Sequence, residues 1–361
     1  MRTRSGLALF AAALAAVMLA YAPVVMTSAR EALARFALQA LPALLPFMIA
    51  AKLMLASGAG DALGLPLRPI MRWLGLPNGA AGVWMASIIA GYPVGARLTA
   101  DFAEANGLDA RQAQTLAIAA SHPGPMFVMG IVGARYGIGM GVCVLLGCAA
   151  GGIIAAKCVA RRSVRAAAVA ETSGSPTVRQ PGFARLLTHI IHESCMSMLP
   201  IGGAMVFFGV VVGLLEHADV LEIAGNAAPL LAGLLEMVAG CDMALAGEAR
   251  IGVIMVTIVL GWGGLSVAAQ SLVFLSQRGV SAGQFLLGKA IQAMVAGVMA
   301  AACGGLIEPT VSAAWAENNV SNAASLWWFP PAWAAFCAVL CLAASKATLR
   351  GRQRCSRERS S

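Results

Sequence analysis

Apolar residues come in long runs, and the places where the runs are interrupted define the elements. The run 6–26 predicts a first membrane helix, followed by an interfacial stretch at 30–40 and a returning helix at 41–58. Residues 61–78, with Arg68 and Arg72, are expected to lie along the inner surface. Two shorter apolar pieces, 81–91 and 94–106, are split at Gly91-Tyr92-Pro93, and two more, 111–121 and 125–136, at Ser121-His122-Pro123-Gly124-Pro125. An unbroken run, 137–160, ends at Arg161-Arg162. After a polar linker the plan recurs. An amphipathic piece 183–195 leads into a helix 196–216, and pieces 228–239 and 243–249 are split at Gly240-Cys241-Asp242. Pieces 250–260 and 265–277 are split at Gly261-Trp262-Gly263-Gly264, and helices 283–306 and 328–346 follow.

The composition makes these runs membrane segments. Of 361 residues, 59% are hydrophobic and 11% charged, with a mean hydropathy of +0.79. Soluble domains carry about 25% charged residues, so this chain lacks the polar surface for a globule of its length. At about 20 residues per crossing, eight to ten segments fit and no large soluble domain does. The predicted fold class is an all-α polytopic membrane protein in an inner or plasma membrane. Its parts are 1–40 (first helix and interfacial segment), 41–160 (first repeat), 161–182 (basic linker), 183–306 (second repeat), 307–346 (outer loop and last helix) and 347–361 (basic tail).

The net charge of +9 is concentrated at Arg2 and Arg4, at Arg68 and Arg72, in the linker from Arg161 to Arg185, and in the tail from Lys346 to Arg359. Basic short loops mark the cytoplasmic side, so both termini are expected there, against anionic headgroups. The charge is read as topology signal, with no nucleic acid as partner; a second copy of the chain remains open. The apolar N-terminal run is too long for a signal-peptide core and is read as uncleaved. The nine cysteines contain no C-x-x-C pair and imply no disulfide framework.

Laid side by side, the halves match in the order of their breaks. The break at Gly91-Tyr92-Pro93 corresponds to Gly240-Cys241-Asp242, and that at 121–125 to 261–264. The crossing count sends the two split pairs into the membrane from opposite sides, which predicts two inverted-topology repeats, each with a re-entrant hairpin and a broken helix. A helix of 12 residues rises about 18 Å, roughly half of a hydrocarbon core about 30 Å thick. Proline and glycine at such breaks free backbone polar groups. These are tolerated at membrane depth only inside protein or beside a water-filled cavity. Four breaks therefore predict a shared central cavity that binds a polar solute or ion.

Ionisable residues near the breaks are the candidates. Glu236 and Asp242 flank the second hairpin tip with Gly240, as a site pair or a buried structural pair. His122, beside Ser121, either titrates near neutral pH or bonds a carbonyl. Ser266 and Gln270, four residues apart after Gly264, share one helix face and either meet solute or join helices. Arg97 and Asp101 are spaced to pair with each other. His189, His192 and Glu193 lack a metal-site spacing, and no catalytic motif, cofactor site or P-loop is expected.

Several of these strings carry a family resemblance. Leu44-Leu45-Pro46-Phe47, Gly91-Tyr92-Pro93-Val94-Gly95-Ala96-Arg97, Gly124-Pro125-Met126-Phe127, Leu235-Glu236 before Gly240, and Gly263-Gly264-Leu265-Ser266-Val267 with Gln270 resemble the sporulation integral membrane protein YlbJ family. That family is grouped with the nucleoside-recognition or Gate domains. Related domains occur in the ferrous-iron transporter B membrane region, spore maturation proteins and concentrative nucleoside transporters. The resemblance implies a two-repeat transporter-like fold with solute contacts at Gly91, Tyr92, Pro93, Glu236, Ser266 and Gln270. One departure stands out: where the family often has Asn-Asn-Ser, this chain has Ser121-His122-Pro123, which removes amides from a nucleobase-type contact. The expected function is binding or movement of a small polar or anionic solute at mid-membrane. The alternative is a non-transporting scaffold or assembly factor of an envelope or sporulation complex. An enzyme is not expected.

Overall fold

A computed structural model describes residues 2–162 and 182–304, and every regular element among them is helical. The expected last helix 328–346, the tail and nearly all of the linker lie outside the described residues. The first half comprises α1 (Arg2–Ala20), α2 (Ala22–Arg35), α3 (Leu41–Ala56), the short α4 (Ala59–Leu63) and α5 (Arg68–Leu74), α6 (Ala80–Ala90), α7 (Val94–Asn106), α8 (Ala110–Ala119), the turns α9 (Pro125–Val128) and α10 (Ala134–Tyr136), and α11 (Ile138–Arg162). The second comprises α12 (Phe183–His217), α13 (Val220–Ala224), α14 (Ala228–Leu235), α15 (Met237–Leu245), α16 (Ala249–Trp262), α17 (Gly264–Leu275) and α18 (Ala282–Ala302). Among the described residues four helical runs are long and apolar enough to cross a membrane: Ile138–Ala160, Phe183–His217, Ala249–Arg278 and Ala282–Ala302. The bent pair Ala8–Ala20 and Ala22–Leu38 makes a fifth if it counts as one span.

Two expectations need correction, and a third segment gains a packing partner. The run 6–26 is not one helix: it turns by 94° at Tyr21, because Pro23 takes a place in the first turn of α2, where its missing N–H is harmless, and so starts a new helix. The stretch 30–40, expected at the interface, packs along α12. There Gly213 faces Ser28, Gly209 faces Ala32 and Gly202 faces Phe36, glycines that let the helices approach. Nor is 183–195 a separate piece; α12 runs unbroken for 35 residues through Pro200. At 1.5 Å per residue that is about 52 Å, longer than a core of about 30 Å, so the helix extends past the hydrocarbon while its side chains change character.

The long helices α11 and α18 pack on each other and form the spine. Gly151 lies against the backbone of Gln292 and Gly261 against Ala293, so α11, α16 and α18 meet at close range. The interrupted elements α6–α7 and α8–α9 precede the long helix α11 along the chain, as α14–α15 and α16–α17 precede α18.

Candidate functional site

The four interruptions differ in construction. Between α6 and α7, Gly91 holds φ +72 and ψ −178, a conformation closed to side chains, and Pro93 precedes the first turn of α7. Between α8 and α9 residues 121–124 have no regular structure, and Gly124 is extended. Between α16 and α17 both Gly263 (φ +84) and Gly264 (φ +80) are left-handed.

The remaining break does not lie where glycine pointed. Helix α14 ends at Leu235, Glu236 is extended, and α15 starts at Met237 with Gly240 and Asp242 inside it. A carboxylate explains the restart: the Glu236 side chain accepts from the Ala239 N–H at 2.8 Å, satisfying one of the orphan donors of a new helix. Gly240 serves packing instead, since a Cβ there would come within 2.3 Å of Gly233 Cα. With this correction Glu236 follows Tyr92 by 144 residues and Gly263 follows His122 by 141, so the two spacings are closer to each other than in the glycine alignment.

In each half the two breaks touch backbone to backbone. A Cβ on Gly91 would meet Gly124 N at 2.3 Å, and one on Gly264 would meet Met237 N at 3.0 Å. Tyr92 N donates to His122 O at 2.8 Å, closing the first pair. Tyr92 also bridges the halves. Its hydroxyl lies 3.1 Å from Leu260 O, a carbonyl left over at the end of α16, and 2.8 Å from the Met237 sulfur. Other freed carbonyls are met by long side chains from elsewhere: Trp84 Nε1 donates to Ala119 O, Trp262 Nε1 to Leu234 O and Lys289 Nζ to Ser121 O, at 2.9–3.0 Å. Backbone polarity freed at the breaks is thus met by these protein groups.

That cavity lies between the breaks. It has a volume of about 110 Å³ and is lined by Tyr92, Pro93, Pro123, Gly124, Glu236, Met237, Ser266 and Gln270. Its apolar wall includes Leu44, Phe47, Met126, Phe127, Ile201 and Met205, and Arg35 stands in its lining. Gln270 Nε2 donates to Ser266 Oγ at 3.3 Å, while Gln270 Oε1 has no hydrogen-bond partner among the described residues. Glu236 is 4% exposed.

The expected site residues divide accordingly. Tyr92, Pro93, Glu236, Ser266 and Gln270 line the cavity, and Gly91 and Gly264 belong to the breaks that frame it. Ser121 and His122 sit just behind, buried: His122 packs edge-on to Trp84 with ring centroids 6.3 Å apart, and its Nε2 and the Ser121 hydroxyl are without partners among the described residues. Gly240 and Asp242 do not line the cavity, and Asp242 is exposed on α15. Sequence reasoning missed Lys289, Gln292, Trp84 and Trp262. A lone lysine within an apolar run was the available signal for the first.

With this geometry in place, comparison with known proteins is informative. Residues 37–139 match the Gate family, described as nucleoside recognition. The Gate match spans α3 to the start of α11 and so takes in the first two breaks. The chain is also similar to sporulation integral membrane protein YlbJ of Bacillus subtilis (strain 168), 26% identical over 294 residues that cover 71% of this chain and 72% of YlbJ. Both findings agree with the resemblance read from the motifs. No solved structure gives a significant match.

A second, polar depression of about 980 Å³ opens beside α3, α5, α7 and α12, lined by Asp61, Arg72, Asn78, Asp101 and Glu193 among others. Here Lys52 Nζ lies 2.8 Å from Glu193 Oε2, and Arg97 pairs with Asp101 at 3.0 Å and reaches Glu193 at 3.5 Å. The anticipated Arg97–Asp101 pair is therefore half of a larger network that ties α12 to α3 and α7.

Proposed function

We propose that this protein binds a small solute in the cavity between the four breaks and passes it across the membrane by alternating exposure of two inverted repeats. In this reading α6–α7 and α14–α15 are re-entrant hairpins entering from opposite sides, and α8–α9 and α16–α17 are the broken helices. The observation that carries the reading is that the buried side chains Tyr92, Glu236, Ser266 and Gln270, which come from both halves and are up to 178 positions apart, line one cavity. Support for the repeat comes from the matching order of elements, the backbone contact within each pair of breaks, and the bridge from Tyr92 to Leu260.

The lining narrows the solute. Glu236 contributes a carboxylate and Gln270 an unpartnered carbonyl, so the polar end presents acceptors, beside an apolar wall. With the Arg35 guanidinium in the same lining to offset the Glu236 carboxylate, this suits a neutral solute with N–H donors and an apolar face. A nucleobase edge has that chemistry, in keeping with the Gate description. At about 110 Å³ the cavity is below the roughly 300–1,000 Å³ of drug-sized sites, so a nucleoside requires the limbs to separate.

The test is uptake into proteoliposomes of a panel of labelled nucleosides, nucleobases and small amines, with wild type and Glu236→Gln. Accumulation of a panel member by wild type, reduced at least about tenfold in a Glu236→Gln protein that unfolds at the same temperature, is the expected result (about 1.4 kcal/mol). If no solute is moved, and Glu236→Gln restores the phenotype of a deletion strain as fully as wild type, the scaffold reading replaces it.

A further inference from the structure

Lys289 sits in the middle of the apolar helix α18 and is 1% exposed. No aspartate or glutamate lies within ion-pair distance of it among the described residues. A buried charge without a counter-charge is costly at membrane depth and persists only where surrounding dipoles replace its hydration. They do so here. Nζ is 2.9 Å from Ser121 O, a carbonyl of the broken element α8–α9, and 2.7 Å from Gln292 Oε1. Gln292 is held in turn by its Nε2 donating to Cys148 O at 2.8 Å, which fixes its oxygen toward the ammonium. The Tyr92 ring completes the shell, with Nζ 5.1 Å from its centroid. A main-chain carbonyl, an oriented amide oxygen and an aromatic face are the ligands a small monovalent cation would take.

We propose that Lys289 is a tethered cation occupying a cation-binding site built by the chain break at Ser121, Gln292 and the face of Tyr92. The ammonium does there what a dissociable ion would do, joining α8–α9 of the first half to α18 of the second behind the Tyr92 wall of the cavity. The position therefore takes no Na⁺ in the native protein. This assignment concerns the framework behind the cavity and holds whether or not a solute is transported.

Truncation separates the stem from its charge. Lys289→Ala removes three carbons and the nitrogen, the outline of n-propylammonium. Thermal unfolding of purified protein in detergent is followed at constant ionic strength with NaCl, n-propylammonium chloride or choline chloride, and with n-propanol as an uncharged filler of the same shape. The expected result is a lowered Tm for Lys289→Ala that rises saturably by several degrees with n-propylammonium, or with Na⁺, but not with choline or n-propanol. Wild type should respond equally to all. Recovery by n-propanol as large as by n-propylammonium, no recovery by either cation, or a saturable Na⁺ response in wild type would overturn the proposal. Lys289→Met fills the volume without charge and serves if the alanine variant fails to fold. Faster hydrogen exchange of amides around 119–124 is expected in it, and unchanged exchange counts against a cation holding that break.

Discussion

A methyl group at position 91 probes the contact on which the first half of the cavity depends. Gly91→Ala places a Cβ on a residue with φ +72, about 1–3 kcal/mol for a side chain in a region reserved for glycine. The same Cβ would stand 2.3 Å from Gly124 N and 2.6 Å from Gly124 Cα, both main-chain atoms that cannot swing aside. The two breaks must then part. Parting stretches the 2.8 Å bond from Tyr92 N to His122 O and leaves two buried groups bare, about 1–3 kcal/mol for each unsatisfied group. Together these amount to roughly 3–9 kcal/mol, comparable with the about 5–15 kcal/mol that holds a folded protein. Gly283→Ala is the matched control: it lies in the first turn of α18, exposed, with nothing within 4 Å of the added Cβ, and is expected to gain about 0.5–1 kcal/mol from helix propensity. Fluorescence-monitored thermal unfolding in detergent reads both. The reasoning predicts a fall of several degrees for Gly91→Ala and none for Gly283→Ala; a Gly91→Ala protein within about 1 °C of wild type refutes it.

Three further outcomes follow from the same contacts. Tyr92→Phe removes the donor for Leu260 O and should cost about 1–3 kcal/mol through a bare buried carbonyl, visible as a lowered Tm with unaltered helix content by circular dichroism. Gly240→Ala drives a Cβ against Gly233 Cα and should destabilise although it touches no solute, so that Tm falls while any protein that stays folded binds with unchanged affinity. Asp242→Asn should leave both Tm and solute affinity unchanged, because Asp242 is exposed and outside the cavity; a loss of affinity in equilibrium binding would return it to the site.

Breaks made by backbone constraints were legible in the chain. Pro93, Pro123 and the pair Gly263-Gly264 mark positions where few other residues could stand, and helices end there. The break at Glu236 was not, because a carboxylate acting as helix cap looks in sequence like a charge within an apolar run, while the nearby Gly240 looks like a breaker and is in fact a packing residue. The same ambiguity hid the turn at Tyr21, where Pro23 opens a helix rather than ending one. Polarity patterns misled in a different way at 183–195, where only the surroundings of one continuous helix change. Of the site, Tyr92, Glu236, Ser266 and Gln270 could be found because polar groups beside breaks are few. Lys289 could not be placed, since its meaning lies in contacts with Ser121, 168 positions away, and through Gln292 with Cys148, 144 positions from that glutamine.

The central claim is that the interrupted helices of both halves enclose one solute site. A structure determined by cryo-electron microscopy with the solute identified by uptake would test it most directly. The account predicts solute density between Tyr92 and Glu236, with an N–H donor within hydrogen-bond reach of Gln270 Oε1. Density seated instead in the polar depression near Asp61 and Glu193, with the chamber between the breaks unchanged, would contradict it.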